Sequence, residues 1–557
     1  MGTGGDLTAD ERARVAHYVT DPVGPVFALV NLPEAVKGAL FARYSRSANS
    51  VRRILLDEFV TTETVPGTGM VPGTGAGEPG AEVGSARARE FFQRVLADYG
   101  DDSVAQLGGA HVAIEGVSNV LTKVIEWGRL ASYLEQSTRY VPYTDMVDGR
   151  WKYVRPPGIA AHPDLLARYE AVLDDAFATY ARLFDAVLAD LVARDASGAD
   201  DQALRRALRA RALDAVRGLL PAATTANLGV YASGQAWESL IIRLRAHPLA
   251  EAREVGDQVL AALRQVIPDF LTRVDREDRG ERMGAYRRAT DERAAAMWAA
   301  LEGATPVSGT LRVPDTLSGL PGERGGSSVR LLEHDPDGEA RVLAHALWPA
   351  SGLPIDEVRA RVAQMPVDER RAALAEWGDG RADRRERPGR ALEATSYLFE
   401  VTCDYGAYRD LQRHRILTLE AQALGADLGW EPSADVEAAG LADEFARVQQ
   451  ASADLWREVV AVVPDEAPYA VTMAHRIRFT IRMNAREAMH LIELRSQPQG
   501  HTAYRRVAQE MLLAIRDDAG HPGIAAMMSF TDMSGEGGRL AQERRTEARR
   551  AADTVDS

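Results

Sequence analysis

The chain has 557 residues, 46% of them hydrophobic, and a formal net charge of −15. A chain of this length exceeds the size at which one hydrophobic core stops growing, so we expect at least two domains. The negative charge argues against a broad nucleic-acid surface, because phosphate contacts require a clustered positive footprint. The sequence has neither a long apolar run nor a signal-peptide pattern, which predicts a cytoplasmic protein without a membrane partner.

Three polar segments divide the chain. Residues 61–84 are rich in Gly, Pro and Thr, and they have too few bulky apolar side chains to offset their ordering entropy, which predicts a flexible loop. A second break with Gly and Pro predicts a linker at 301–328, and the polar residues 536–557 predict a disordered tail. The chain is therefore predicted to consist of two halves, at 1–300 and 329–535.

Apolar residues recur at helical spacing in five long stretches, namely 164–195, 200–219, 235–264, 439–463 and 482–516. This spacing predicts that several of them are amphipathic helices. The segments GGAHVAIEGVS and SYLFEVTCDYGAY are richer in β-branched and aromatic residues. Periodicity allows either strands or buried helix starts in these two segments. Together these patterns predict a mixed, helix-rich fold.

A single cysteine, Cys403, is present in the chain. One thiol excludes an internal disulfide framework and any multi-cysteine metal or iron–sulfur site. It lies in an apolar run, where a free cysteine usually acts as a small buried hydrophobe, so a structural role is favoured. We predict no metal site.

A first group of polar side chains lies at Glu135, Ser137, Thr138 and Arg139. In an extended stretch, Glu135, Ser137 and Arg139 would point to one side because strand side chains alternate. Such a group suits a phosphorylated ligand, since Arg can fork a phosphate and Ser can donate to another oxygen. The alternative is a solvated ion pair between Glu135 and Arg139.

A second group is the triplet Arg413, His414 and Arg415. Two guanidiniums that flank an imidazole repel one another unless an anion or an electron-rich ring lies between them. The alternative is an exposed basic triplet.

A third group, Asn484, Arg486, His490 and Arg495, lies on a predicted helix. Arg486 and His490 are four residues apart and share a face, and Asn484 and Arg495 lie close in angle. The alternative is an exposed, arginine-rich helix.

The three groups together resemble the signature of the flavin-dependent thymidylate synthases. That signature reads Arg-His-Arg, two residues, Ser, one residue, Asn-Glu, one residue, Ser, one residue, Arg-Tyr. The segment WGRLASYLEQSTRY (127–140) fits it from the third position onward, and RHRILTLEAQAL (413–424) fits only its beginning. The resemblance therefore implies a tandem duplication in which the two halves share the parts of one site.

The resemblance implies an α+β fold of two thymidylate synthase-like domains, each with a mainly antiparallel sheet flanked by helices. It assigns the flavin-binding roles to Glu393, His414, Arg415, Asn484, Arg486 and His490. It assigns the nucleotide-binding roles to Glu135, Ser137, Thr138, Arg139, Arg217, Arg413 and Arg495. Arg413, His414 and Arg415 are the implied catalytic residues.

The first half lacks the flavin-side residues. Gln106 stands at the position equivalent to Glu393, and Ser233, Gln235 and Ser239 fall near the positions of Asn484, Arg486 and His490. We therefore predict one composite site per chain. The opposite interface, with Trp127, Gly128, Ser233 and Gln235 against 416–424, is predicted to bind neither ligand.

The implied activity is FAD-dependent reductive methylation of dUMP to dTMP, with 5,10-methylenetetrahydrofolate and NADPH as co-substrates. Two departures keep alternatives open: Asp410 replaces the family's Gln, and Leu134 replaces its Asn. One alternative is a flavoenzyme that acts on a different pyrimidine nucleotide, and the other is a non-catalytic scaffold that kept the fold. Family tetramers imply a homodimer of chains of this length.

Overall fold

The computed structural model describes residues 7–45, 47–60, 105–194, 201–301, 328–431 and 433–535, with a few positions beyond 537. The predicted loop 61–84, the linker apart from its two end residues, and most of the predicted tail lie outside these residues. Among the described residues, no helix is both long and apolar enough to cross a membrane.

Helices account for most of the regular structure. In chain order they are α1 (Ala9–Val15), α2 (Glu34–Tyr44), α3 (Val51–Ile54), α4 (Asn119–Ile125), α5 (Pro157–Ala160), α6 (Pro163–Arg194), α7 (Gln202–Val216), α8 (Gly234–Ala246), α9 (Ala250–Leu263), α10 (Arg282–Leu301), α11 (Gly338–Ser351), α12 (Ile355–Gln364), α13 (Val367–Gly378), α14 (Tyr405–Leu411), α15 (Ala434–Ala438), α16 (Ala442–Val462), α17 (Ala485–Arg495), α18 (Thr502–Arg516) and α19 (Pro522–Met527).

The strands form two sheets. They are β1 (Gly109–Ser118), β2 (Ala131–Glu135), β3 (Thr225–Ser233), β4 (Ser328–His334), β5 (Ser396–Asp404), β6 (Thr418–Ala421) and β7 (Arg476–Asn484). One sheet has the order β1-β3-β2 and the other has the order β4-β5-β7-β6. The predicted α+β, helix-rich class is therefore confirmed.

Contacts divide the chain into two compact units. The first contains Met1–Glu115, Leu130–Glu135 and Asn227–Pro306, and the second contains Gly116–Arg129, Gln136–Ala226 and Val307–Ser557. This division differs from the predicted halves, because the sequence repeat follows chain order whereas compactness follows side-chain contacts. Much of the first half thus belongs to the same unit as the whole second half.

The central strands of the second sheet are β5 and β7. They pair antiparallel over their full length, from Ser396 opposite Asn484 to Asp404 opposite Arg476. Cys403 is fully buried on β5, and burial raises the pKa of its thiol. The structural role predicted for this cysteine agrees with its position.

The two halves repeat one topology. The strands β1, β2 and β3 have the spatial order β1-β3-β2, and β5, β6 and β7 have the matching order β5-β7-β6. In both halves the first strand leads directly into a helix, α4 or α14, and so does the third strand, into α8 or α17. The segment GGAHVAIEGVS is thus a strand that ends at Ser118, the residue that caps α4, whereas SYLFEVTCDYGAY holds both a strand and the start of α14. This repetition agrees with a tandem duplication.

The predicted helices at 164–195, 200–219 and 439–463 correspond to α6, α7 and α16. The stretches 235–264 and 482–516 also contain helices, but each is divided into more than one element. The first stretch is divided between Ala246 and Ala250, where Pro248 restricts the preceding backbone. The second begins inside β7 and is interrupted between Arg495 and Thr502, where Pro498 and Gly500 lie.

Trp237 is one of the largest fully buried side chains in the first unit. Its side chain is fully buried in α8, and its indole N–H donates to the carbonyl of Ala110 in β1 at 3.2 Å. We expect Trp237→Ala to lower the free energy of unfolding by about 3–5 kcal/mol, because it leaves a large cavity. Urea denaturation followed by circular dichroism measures this loss.

The matched control is Trp298→Ala in α10 of the same unit. Trp298 is 57% exposed, so its removal should change the free energy of unfolding by no more than about 0.5 kcal/mol. Equal denaturation midpoints for the two variants would contradict the buried role of Trp237.

Candidate functional site

His414 lies just after α14, and its imidazole is buried. Its Nδ1 is 3.1 Å from Oε1 of Glu487, and Nε of Arg495 donates to its Nε2 at 3.0 Å. Because a guanidinium can only donate, Nε2 is the acceptor and the proton is assigned to Nδ1. Burial, followed by the charge of Arg495, holds the pKa of His414 well below its usual range. The ring is therefore neutral and donates to Glu487.

Glu487 is the acceptor on the other side of this ring. It lies in the first turn of α17, where its backbone N–H donates to Oδ1 of Asn484 at 2.9 Å. Burial raises the pKa of Glu487 to about 7, although Arg387 and Arg486 oppose the shift. Its carboxyl group is thus poised to change charge near neutral pH.

A second histidine, His490, lies beside His414, and we call the two the histidine pair. Their ring centroids are 5.1 Å apart, with the planes inclined at 59°. Arg387 Nη2 donates to His490 Nδ1 at 2.9 Å. Burial, followed by Arg387, lowers the pKa of His490 to about 4. Both rings are therefore uncharged at neutral pH.

His414, Glu487 and His490 each offer a possible metal-ligand atom, and these atoms lie within 4.8 Å of one another. The guanidiniums of Arg387 and Arg495 contact the same two rings. Positive charge beside the ligands opposes a divalent cation. The surroundings instead suit an anion or an electron-rich neutral ring.

The remaining predicted flavin-side residues lie at the start of α17 and before β5. Arg486 Nη1 is 3.8 Å from Oε1 of Glu393, and Arg390 donates to both oxygens of Glu393 at 3.1 and 2.9 Å. The hydrogen bond from Arg390 holds the pKa of Glu393 below its usual range. The Nε of Arg486 is buried and has no hydrogen-bond partner in the described part of the chain. The alternative of an exposed, arginine-rich helix is wrong, since most of α17 is buried.

Four predicted nucleotide-side arginines form what we call the arginine cluster: Arg139, Arg217, Arg413 and Arg495. Asp410 lies among them. Arg413 Nη2 donates to its Oδ1 at 2.5 Å, Arg217 Nη1 is 3.7 Å from its Oδ2, and Arg495 Nη1 is 3.8 Å from its Oδ1. Burial would raise the pKa of Asp410, yet these charges, led by Arg413, outweigh it and lower the pKa. Asp410 is therefore an ionised, buried carboxylate.

Arg217 begins the 3₁₀ turn Arg217–Leu219 and is 5% exposed at its side chain. Its Nη2 lies 3.8 Å from Oδ1 of Asp404 and has no hydrogen-bond partner among the described residues. A Cβ at Gly406 would lie only 3.0 Å from this Nη2. Glycine at the start of α14 thus permits the close approach of Arg217. Burial raises the pKa of Asp404 to about 6.

Arg139 makes a two-point ion pair with Asp214, with both N–O distances at 2.7 Å. It also donates to Tyr504 Oη at 3.0 Å. The predicted extended stretch is wrong beyond Glu135, where β2 ends. The chain turns instead, with the N–H of Tyr140 donating to the carbonyl of Ser137. The alternative of a solvated ion pair between Glu135 and Arg139 is also wrong, because Glu135 is buried and the Arg139 side chain is only 15% exposed.

The other members of the first predicted group have different positions. Ser137 Oγ accepts a hydrogen bond from the backbone N–H of Arg139 at 3.2 Å, and Thr138 is buried. Both belong to the second compact unit. Glu135 is buried at the end of β2 and belongs to the first unit.

A small cavity of about 90 Å³ lies beside the triplet. His414, Arg415, Trp127 and Arg129 line it, together with residues 417–420. Arg129 Nη2 donates to Oγ1 of Thr418 at 3.1 Å. Arg415 is exposed there, in agreement with the alternative that parts of the triplet are open to solvent, whereas His414 is not.

The sequence patterns did not predict five residues of the site, namely Asp214, Asp404, Tyr504, Arg387 and Glu487. One signal existed for Glu487, which follows Asn484 by three residues, the spacing of a helix-start capping pattern. The others contact their partners over long sequence separations, for which spacing carries no information.

Two helix-rich repeats around antiparallel sheets, with arginines and histidines gathered in one unit, define the class of this protein. The family model Thy1, described as thymidylate synthase complementing protein, matches residues 62–269 and 330–519. The chain belongs to this family and carries two copies of its domain.

Relatives that match most of the chain are named after a protein family and not after an activity. A UPF0159 protein of Chlamydia muridarum is 36% identical over 552 residues, covering 98% of this chain and 99% of the relative. A UPF0159 protein of Thermoplasma acidophilum is 29% identical and covers 89% and 95%. A flavin-dependent thymidylate synthase of Mycolicibacterium gilvum is 32% identical over 182 residues, covering 32% of this chain and 68% of that enzyme.

Solved structures match one part of the chain. The UMP/dUMP methylase PolB from Streptomyces cacaoi, bound with 5-Br dUMP, has 16% identity and a TM-score of 0.30 and covers 36% of this chain and 96% of its own. Thymidylate synthase X from Helicobacter pylori, with FAD and dUMP, has 17% identity and a TM-score of 0.27 and covers 36% and 99%.

Asn484 caps α17 through its side chain. We expect Asn484→Ala to lower the free energy of unfolding by about 1 kcal/mol, and Asn484→Asp to retain most of it, because Asp also accepts from the helix N–H groups. Thermal and urea denaturation compare the variants. Equal losses for Ala and Asp would contradict the capping role.

Glu487 makes stability depend on pH. Its pKa rises from an ordinary 4.5 to about 7 on folding, so between these values the folded state binds more protons than the unfolded state. The contribution is fully present below pH 4.5 and is lost as pH rises through 7. We expect the free energy of unfolding of Glu487→Gln, relative to that of the parent, to increase by about 1–3 kcal/mol from pH 5 to pH 8.

Denaturation midpoints at the two pH values measure this difference. The control is Glu444→Gln, which removes a carboxylate from the surface pair with Arg182 and should keep the parent's pH dependence. If the difference in stability between Glu487→Gln and the parent were the same at pH 5 and at pH 8, the raised pKa of Glu487 would be contradicted.

Proposed function

We propose that the chain binds FAD and a uracil nucleotide at one composite site and catalyses reductive methylation of the pyrimidine, with dUMP to dTMP as the reference reaction. The co-substrates in this proposal are 5,10-methylenetetrahydrofolate and NADPH. The proposal rests on one observation above all: His414 contacts Arg495 of the arginine cluster and Glu487 beside the flavin-side residues. The expected flavin and nucleotide residues therefore adjoin one another.

The donor set fits FAD. The buried Nε of Arg486 lacks a hydrogen-bond partner among the described residues, and the histidine pair offers two neutral rings. An isoalloxazine or a pyrophosphate would supply the missing acceptors and ring contacts. When bound, FAD supplies the reducing equivalent and relays the one-carbon unit, which leaves orientation and electrostatics to the protein.

The residues then have separate tasks. Arg413, which is 39% exposed at its side chain, and the exposed Arg415 stabilise negative charge that develops on the pyrimidine. His414 has both nitrogens engaged, so it positions Arg495 and the ring system and does not transfer a proton. Arg139, Arg217 and Arg495 hold the sugar and phosphate, with Glu135, Ser137 and Thr138 as the further nucleotide-side residues.

The first half supports a single site per chain. Where the second half has Glu393 and Arg486, the first half has Gln106 and Gln235, whose side-chain amides pair at 2.7 Å. An amide pair carries no net charge, and these two amides already hydrogen-bond to each other. They provide no charged group for a flavin. We therefore propose that the surroundings of Gln106 and Gln235 bind neither ligand.

Two other functions are supported by single features. A flavoenzyme for a different pyrimidine nucleotide is favoured by Asp410, which adds a carboxylate to the arginine cluster. A scaffold without catalysis is favoured by Leu134, which is 79% exposed on β2 where the family signature has Asn. The family's assembly supports a homodimer of chains.

The purified full chain should bind one FAD, measured by its absorption spectrum, and a uracil nucleotide should shift the flavin bands in a saturable way. Release of tritium from the C5 position of labelled dUMP then reports the chemistry. Two FAD molecules per chain would exclude the single site, and a chain that binds none would favour the scaffold.

Matched variants sharpen the test. Arg486→Gln and His490→Ser give the second half the residues of the first. We expect Arg486→Gln to weaken FAD binding at least about tenfold, because one charged hydrogen bond is lost, and His490→Ser to weaken it through the loss of a neutral ring contact. Gln235→Ala in the first half should leave FAD affinity unchanged. The opposite ranking would place the flavin elsewhere.

A further inference from the structure

Asp410 takes the place among the arginines that an anionic ligand would be expected to occupy. It is buried, with a side-chain exposure of 9%, and three guanidiniums lie within 3.8 Å of its oxygens. The fourth member of the arginine cluster, Arg139, adds its field from farther away. The cluster therefore already contains an internal counter-ion.

The charge of the cluster follows from its described members. The four arginines are positive, and Asp214, Asp404 and Asp410 are negative at pH 8. His501 lies within the same field and is neutral there, because burial lowers its pKa to about 3. One net positive charge remains, so a phosphate dianion would bring the group to a net negative charge. Because most of these side chains are buried, like charges repel more strongly there than in water.

Arg217 has a hydrogen-bond donor that a ligand could use. Arg217 is 5% exposed at its side chain, and its Nη2 is buried with no hydrogen-bond partner in the described residues. That N–H group can serve an acceptor oxygen of a ligand. Arg139, by contrast, uses two of its nitrogens for Asp214, so in the proposed site it contributes positive charge to the phosphate and no two-point contact.

We infer that Asp410 is a specificity-determining residue that makes the cluster select a uracil nucleotide with a singly charged phosphate, a phosphodiester, over a phosphomonoester dianion. The inference rests on the proposed function and defines its substrate class. The family's Gln at this position is neutral and would leave one more positive charge. With Asp410, the cluster can therefore balance one fewer negative charge on a ligand than it could with Gln.

The test uses the full chain loaded with FAD at pH 8, where Asp404, with a pKa of about 6, and the phosphomonoester are both ionised. Dissociation constants are measured by flavin absorbance for dUMP and for its 5′-methyl phosphate ester, which carries one charge. We expect the ester to bind at least about tenfold more tightly than dUMP. Asp410→Gln should reverse the order, and Asp410→Glu should keep it.

Glu444→Gln, which removes one carboxylate from the surface, should retain the parent's order and controls for net charge. Tighter binding of dUMP by the parent would overturn the inference and leave the proposed function in place. Failure of both compounds to shift the flavin bands would remove the proposed function, and the inference with it. The comparison in the parent decides the question even if the Asp410→Gln chain does not fold.

Discussion

The neutral imidazole of His414 is the constraint on which the site depends. One nitrogen accepts from Arg495 and the other donates to Glu487, so a second proton would set two donors against each other inside a buried environment. The ring thereby orients a guanidinium on one side and a carboxyl group at a helix start on the other. Removal of the imidazole would leave a buried guanidinium without its acceptor, a costly state.

Burial of the guanidiniums of Arg139, Arg217 and Arg495 requires compensation from the protein itself. Ion pairs of this kind contribute little to net stability, because desolvation offsets most of their attraction. Their effect is organisation, since Asp214 and Tyr504 hold Arg139 in one geometry, and Gly406 leaves room for Arg217. A cluster that is ordered in this way would need little rearrangement to bind the proposed nucleotide.

The two halves show which features the fold needs and which features only the chemistry needs. Ser233 caps α8 just as Asn484 caps α17, so each strand-to-helix junction keeps a capping side chain. The charged pair Glu393 and Arg486 survives in one half only, whereas a neutral amide pair stands in the other. A helix start is required in both halves, whereas the proposed single composite site requires its charged residues only once.

The sequence alone determined the helices with strong apolar periodicity, the burial of Cys403, and the residue types of the site, because these depend on spacing within a few turns or on the family signature. It could not decide between strand and helix for GGAHVAIEGVS, nor detect the turn after Glu135. Only the tertiary structure showed that Arg139 pairs with Asp214, 75 positions away, and that Asp410 lies among arginines from both halves. Local patterns carry no information about such partners, since folding, and not chain order, brings them together.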